Sequence, residues 1–463
     1  MSRFNYRTVA LLVFIFGTIL RILLYWSNPP GNAPDNHFEP IFAIMNSGTI
    51  PAKDACLQCY HPPVFYWGSA MIGNIAVDMG ATVPEILKLL QFISCFYGIL
   101  TVGIIYLILS KLPLSDFSRL VAFSTVCFLP RHIYMSAMHS NDTISYLFVS
   151  LSIYLLLIAI ERKLSPSILL VASIVISITL FTKYTSYVVL PIIPISFGLL
   201  FYKGLIVPRK QVAGSLLLIL FIPITLLCVY WASNIRNYGS PLPWNVELNN
   251  FTLYQPRDNS RLDFISFKPW ESIETPILVP GKMHSFWTLV YSGMWFDNEP
   301  KFLYCLDSNR EWWMHYYAWL RGEKGFPGDN HSMSLTKLMG SGLIAFGLLP
   351  LLLIINGFYN YFARSWKVWA EGKGMEVARM SIFPTLLLSN AVGIMAYAFR
   401  LQVYSVVKAS FFLNSLPAFA VFLSLGLMPC ENNRKLKWTI VIVFGVLFAL
   451  VSLHILNIFQ SLK

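Results

Sequence analysis

Long apolar stretches separated by short polar ones set the pattern of this chain. Eleven of them, roughly 8–26, 86–110, 119–135, 144–161, 167–182, 185–203, 213–232, 339–359, 380–398, 409–428 and 438–458, approach or reach the ~17–25 residues a helix needs to cross a bilayer. The pattern therefore predicts an all-α polytopic membrane protein of about eleven spans, with no internal repeat. Two long segments between spans stand out, 27–85 and 233–338. Both lie on one side of the membrane if the N-terminus lies on the other, and 1–463 then reads as a single membrane domain. The second segment contains Ser285-Phe-Trp-Thr-Leu-Val-Tyr-Ser-Gly-Met-Trp-Phe-Asp297, too short and too polar to cross. Its Trp and Tyr residues suit the headgroup level, so a helix along the membrane surface is expected there.

Composition supports this assignment and orients it. Of 463 residues, 56% are hydrophobic and only 12% charged, too apolar for a soluble domain of this size. Lys and Arg concentrate in alternate connections, at Arg3 and Arg7, Lys111 and Arg119, Arg162 and Lys163, Arg209 and Lys210, Arg364 to Arg379, and Arg434 to Lys437. Cytoplasmic loops retain positive charge, which puts the N-terminus inside and the segments 27–85 and 233–338 outside. The formal net charge of +12 is accounted for in this way and does not call for nucleic acid. The first span, preceded by seven residues and followed by no small-residue cleavage pattern, reads as a retained signal anchor.

Polar chemistry gathers at the outer face. The densest run is Pro34-Asp35-Asn36-His37-Phe38-Glu39, followed by Cys56-Leu57-Gln58-Cys59-Tyr60-His61-Pro62-Pro63-Val64-Phe65-Tyr66-Trp67. Asp142 follows the third span, Lys183 lies at the turn between spans five and six, Arg236 just beyond span seven, and Lys408 at the start of span ten. Cations and carboxylates distant in sequence thus share one thin layer. Such a layer suits a phosphate headgroup whose tail stays in hydrocarbon, with a carboxylate as general base. Each residue also has a plainer use: Lys183, Arg236 and Lys408 as snorkelling cations, Asp142 as a cap of the following helix, and Asp35 as a cap of a surface helix with Glu39 in its first turn.

Three of the seven cysteines, Cys56, Cys59 and Cys305, fall on the outer, oxidising side. Cys56 and Cys59 are open to a disulfide, to two free thiols, or to a zinc site with His61 and His37. A closed zinc site usually shows two spaced pairs, and only one is present. His284, His315 and His331 are isolated and read as structural. Sequons stand at Asn141, Asn250 and Asn330.

The order of these motifs resembles the GT-C superfamily of membrane glycosyltransferases. The likeness is to the dolichyl-phosphate-mannose protein mannosyltransferases and their bacterial aminoarabinose-transferase relatives. Pro62 to Trp67 is similar to the family's Pro-Pro-Leu-Tyr-Tyr-Trp segment, Thr182-Lys183 to the end of its fifth span, and Arg236-Asn-Tyr-Gly-Ser-Pro241 to its Arg-Asn-x-x-Gly-x-Pro. Lys408 before Leu416-Pro417 resembles its basic residue near the C-terminus.

The resemblance implies inverting transfer of a single sugar from a polyisoprenyl-phosphate donor to a protein, lipid or glycan acceptor. It assigns Asp35 and Asp142 as the catalytic carboxylates and Lys183, Arg236 and Lys408 as phosphate ligands. His37, His61 and Tyr66 fall among the substrate-binding residues. Where the family has Asp-Glu this chain has Asp35-Asn36, so a second-carboxylate role falls to Glu39 or is absent, and a divalent metal becomes optional. The Cys-x-x-Cys-Tyr-His lead-in resembles bacterial members, which points to a bacterial inner membrane over the ER. A polyisoprenyl-glycolipid flippase, or a noncatalytic subunit with this fold, are the competing readings.

Overall fold

A computed structural model describes residues 5–203, 207–244, 261–277, 285–298, 302, 315, 318, 334–371, 373–400 and 407–462. Among the described residues nine helices are long and apolar enough to cross a membrane: Tyr6–Ser27, Val83–Ser110, Asn141–Glu161, Tyr184–Tyr202, Arg209–Tyr238, Leu335–Ala370, Gly374–Arg400, Ala409–Asn432 and Arg434–Ser461. The protein is an integral multi-pass membrane protein. In chain order α1 is Tyr6–Ser27, α2 Phe38–Ser47, α3 Val64–Asp78, α4 Val83–Ser110, α5 Asp116–Cys127, α6 Pro130–Ala137, α7 Asn141–Glu161, α8 Pro166–Leu180, α9 Ile192–Lys203 and α10 Arg209–Tyr238. The short helices α11, Arg261–Ile265, α12, Pro269–Glu274, and α13, Phe286–Trp295, lead to α14, Ser334–Ala370, α15, Gly374–Arg400, α16, Leu416–Leu427, and α17, Arg434–Ser461.

Two expected spans take another form. The stretch 167–182 becomes α8, only 15 residues long. The stretch 119–135 breaks into α5 and α6, because Pro130 has no N–H to continue the ladder and opens a new helix instead. The carbonyls freed at the break are taken by a buried arginine from α1. Arg21 Nη1 donates to Cys127 O at 2.8 Å and Nη2 to Val126 O at 3.4 Å, with Nη2 also 2.8 Å from His132 Nδ1. The charge inside the first span thus serves as a clip on a broken helix. Both pieces are almost wholly buried among other helices, so neither has to meet lipid along its full length.

The tightest crossing is that of α14 and α16, where Gly357 faces Gly426. A Cβ on Gly357 would fall on the Phe422 carbonyl, and one on Gly426 on the Leu353 carbonyl. Only glycine permits that approach.

The basic connections meet at one end of the bundle. Lys111 pairs with Glu161 at 3.0 Å, Arg379 donates to Lys111 O at 2.6 Å, Gln211 donates to Lys163 O at 2.9 Å, and Ser115 bonds Glu431. The segments bearing α2, α3 and α13 lie at the other end.

The stretch 285–297 is as short as expected, but it does not lie on a surface. All of α13 except Trp287 is buried, with α6, α14 and the 3-10 turn Ala409–Ser415 packed against it. Arg131 of α6 fixes its C-terminal end, donating to Gly293 O at 2.6 Å and to Phe296 O at 3.3 Å and standing 3.6 Å from Asp297. The aromatic faces that suit headgroups are thereby buried in protein.

Candidate active site

Two lysines are delivered to the site by the same local device. Lys183 and Lys408 are each extended, and each immediately precedes a 3-10 turn, Tyr184–Val189 and Ala409–Ser415, that leads into a span. Asn414 ties the turns together, accepting from Ser145 Oγ at 2.8 Å and donating to Thr185 O at 3.3 Å. Ser145 Oγ in turn lies 2.8 Å from Ser186 Oγ. The lysines therefore stand on one hydrogen-bonded floor although 225 positions separate their numbers (408 − 183).

Each lysine meets a carboxylate. Lys408 Nζ lies 2.7 and 2.9 Å from the two oxygens of Asp35, which lies between α1 and α2. Lys183 Nζ lies 2.7 Å from Asp142 Oδ1, and also over the ring of Phe411 at 5.0 Å from its centroid. Asp142 is not the cap of α7; Ser140 is, accepting from the Asp142 N–H at 3.1 Å. Nor does Asp35 cap a helix by its side chain: α2 begins at Phe38 with no side-chain cap.

Asp35, Lys183 and Lys408 line a cavity of about 560 Å³ together with Tyr60, His61, Tyr184, Trp244 and Tyr397. His61 stacks on Tyr60, with ring centroids 3.9 Å apart. Behind it, buried His37 places Nδ1 2.9 Å from the Tyr66 hydroxyl, which also accepts from Asn141 Nδ2 at 3.4 Å. Desolvation by burial pushes His37 down to about 3 and His61 well below its ordinary value, so both are neutral imidazoles at neutral pH. Asn141 is fully buried here, which closes that sequon to modification in the folded state.

Of the expected site residues, Asp142, His37 and Tyr66 stand behind the cavity lining, and Arg236 and Glu39 lie apart from it. Arg236 is exposed in the last turn of α10 and does not border it. Glu39 is exposed in the first turn of α2, where it accepts from Asn36 Nδ2 at 3.4 Å. Cys56 and Cys59 form a disulfide, which takes from the zinc reading its two thiolates. Cys305, His284, His331 and the sequons at Asn250 and Asn330 lie outside the described residues; His315 is exposed.

Lys53 was missed by the sequence reading. Its Nζ donates to Tyr60 O at 2.8 Å and to the Tyr230 hydroxyl at 2.6 Å, and its backbone N–H donates to the Tyr238 hydroxyl at 3.0 Å. It latches the cavity wall to α10, and burial pushes the amine down to about 8. The available signal was a lysine three residues ahead of a Cys-x-x-Cys pair.

A second cavity, of about 570 Å³, lies beside the first and is lined almost wholly by apolar side chains, mostly of α5, α13, α14, α15 and α16. The two share a wall: Asn390 and Phe411 border the polar cavity, while their neighbours Ala391 and Phe412 border the apolar one. A larger cleft of about 730 Å³ lies at the opposite, basic end around Arg7 and Arg119 and contains none of these groups.

No protein-family model matches the chain, and no curated protein does. Solved structures do. The oligosaccharyltransferase of Archaeoglobus fulgidus in its apo form superposes with a TM-score of 0.52 at 13% identity, over 98% of this chain and 56% of its own. The chain shares that protein's fold. Oligosaccharyltransferase AglB from A. fulgidus, in complex with an inhibitory peptide and a dolichol-phosphate, gives 0.52 at 14% identity, over 98% and 55%. The chain thus spans about half the length of the archaeal chains. ArnT from Cupriavidus metallidurans gives 0.38 at 12% identity, over 91% and 78%.

Proposed function

We propose that the chain is an inverting glycosyltransferase that moves a single sugar from a polyisoprenyl-phosphate donor to an acceptor at the outer face of its membrane, a bacterial inner membrane in our reading. The observation that carries this is the pairing of cavities: a polar one holding Asp35, Lys183 and Lys408 shares a wall with an apolar one. A lipid phosphate needs both, cations for its head and hydrocarbon for its tail. The fold adds weight, since an archaeal protein of this fold is described with a peptide and a dolichol-phosphate bound.

In this mechanism Asp35 takes the proton from the acceptor hydroxyl or amine as that atom forms its bond to the anomeric carbon. The bond between that carbon and the phosphate oxygen breaks on the opposite face, and polyisoprenyl phosphate leaves with the electron pair. Lys183 and Lys408 offset the growing charge on the leaving phosphate, the preorganised electrostatics that lowers such barriers. Lys408 then has two duties, pairing with Asp35 before the donor arrives and sharing itself with the phosphate afterwards. His61 and Tyr66 belong to the substrate wall and its support, and His37 holds Tyr66. Asp142 acts through Lys183 by holding it in place.

A divalent cation does not fit this donor set. Both carboxylates already face ammonium groups, and among the described residues no three His, Cys, Asp or Glu side chains gather as ligands. The mechanism therefore uses no step through a metal. The test is transfer by the purified protein from a panel of radiolabelled polyisoprenyl-phosphate sugars, with membrane extract as acceptor source. Consumption of one donor by the wild type and none by Asp35→Asn is expected; binding without consumption would move the reading to a lipid carrier.

A further inference from the structure

The cavity wall from residue 56 to 61 is closed by a covalent bond. Cys56 and Cys59 form a disulfide with Cα atoms 5.1 Å apart. Only Leu57 and Gln58 lie between them, and both border the cavity. Backbone bonds tighten the same loop, Cys59 N to Cys56 O at 3.2 Å and His61 N to Gln58 O at 3.4 Å, and Lys53 holds Tyr60 from behind.

Gln58 is 6% exposed, and its carboxamide makes no hydrogen bond to protein among the described residues. A carboxamide with two N–H donors and two acceptor lone pairs, set in the cavity wall, is free to take a polar partner from within the cavity. The catalytic scheme does not use it. The same cavity presents the ring of Trp244, held edge-on by Tyr397 at a centroid distance of 4.9 Å and backed by Arg400 at 4.4 Å. A carboxamide for hydroxyls and a braced aromatic ring for a face of C–H groups are complementary to a sugar.

We propose that the Cys56–Cys59 loop reads the transferred sugar, Gln58 bonding a pair of neighbouring hydroxyls while Trp244 takes the apolar face of the ring. This rests on the glycosyl-transfer reading and deepens it. The sugar expected is a neutral one, since the carboxylate among the described lining, Asp35, is the one the mechanism uses for proton transfer. The disulfide is a positioning element: it holds Gln58 at the cavity without touching the sugar.

The test compares binding of bare polyisoprenyl phosphate with binding of the same lipid carrying glucose, mannose or galactose, read by Trp fluorescence or by calorimetry. The wild type should bind one sugar-bearing lipid ~10-fold more tightly than the bare one, the size expected when buried polar groups would otherwise stay unpaired. Gln58→Ala and the isosteric Gln58→Met should erase that preference while leaving affinity for the bare lipid within ~2-fold. Reduction of the disulfide should erase it too. A wild type without the preference, or a Gln58→Met protein that keeps it, overturns the proposal. Asp35→Asn separates the two readings, since it should stop transfer yet keep the sugar preference. A wild type that shows the Gln58-dependent preference but never transfers would sink the enzyme reading and leave this one standing.

Discussion

Two ion pairs face each other across one hydrogen-bonded floor, and they differ in access to solvent. Asp142–Lys183 is sealed, with side chains 2% and 4% exposed, whereas Asp35–Lys408 is open, at 28% and 15%. A sealed pair keeps one geometry, because breaking it strands a charge in a low dielectric. An open pair can exchange a partner for a substrate at modest cost. In the proposed mechanism the open carboxylate is the one that transfers a proton, and the sealed one holds a lysine beside the donor.

The largest effect that would break this comparison is on turnover. Asp35→Asn should lower transfer by roughly 10²–10⁴-fold, the usual worth of a general base, with no loss of thermal stability in detergent. A comparable loss from Asp142→Asn at unchanged stability would exchange the two roles. Stability should respond at the sealed pair: Asp142→Leu alone should destabilise by about 3–5 kcal/mol, and Asp142→Leu with Lys183→Leu by much less. Equal melting temperatures for the single and double variants would show that the pair carries no such strain.

A smaller effect follows from the buried histidines beneath the site. Burial pushes His37 and His139 both down to about 3, and His139 is held between Ser69 Oγ at 3.0 Å and Ser94 Oγ at 2.9 Å. In the unfolded chain each binds a proton below about 6.5, so stability is full above that pH and is lost as pH falls towards 3, by up to about 1.4 kcal/mol per unit for each. Melting temperature measured against pH should slope accordingly, and His139→Gln should make the slope shallower. The smallest effect sharpens the comparison from outside it: Arg236→Ala should leave donor KM within about twofold, as a surface change does, whereas Lys408→Ala should raise it.

The membrane fold was legible because span length and hydropathy are local properties. What escaped was decided by contacts between distant parts. Pro130 gave warning of a break, but nothing near it told that Arg21 would supply the missing donors. The aromatic stretch 285–297 satisfied the rule for a headgroup helix, and Arg131 with the turn after Lys408 took it into protein instead. Charged side chains at one level of the membrane could be read from topology, and Asp35, Asp142, Lys183 and Lys408 do converge in the structure. Arg236 shared that level and does not border the cavity, since level fixes depth but not direction around the bundle. Lys53 left only its place ahead of Cys56 as a signal, because its partners, a carbonyl and three tyrosine hydroxyls, leave no charge pattern along the chain.

The open ion pair also has a consequence in time. Asp35 and Lys408 are 373 residues apart, so a ribosome delivers the carboxylate long before its ammonium. Until the segment around Lys408 and Asn414 has been made, the nascent chain carries Asp35 without its counter-charge and without the floor that Asn414 completes. The site is therefore assembled only after both segments are in place, and a product released between the two lacks the Asp35–Lys408 pair.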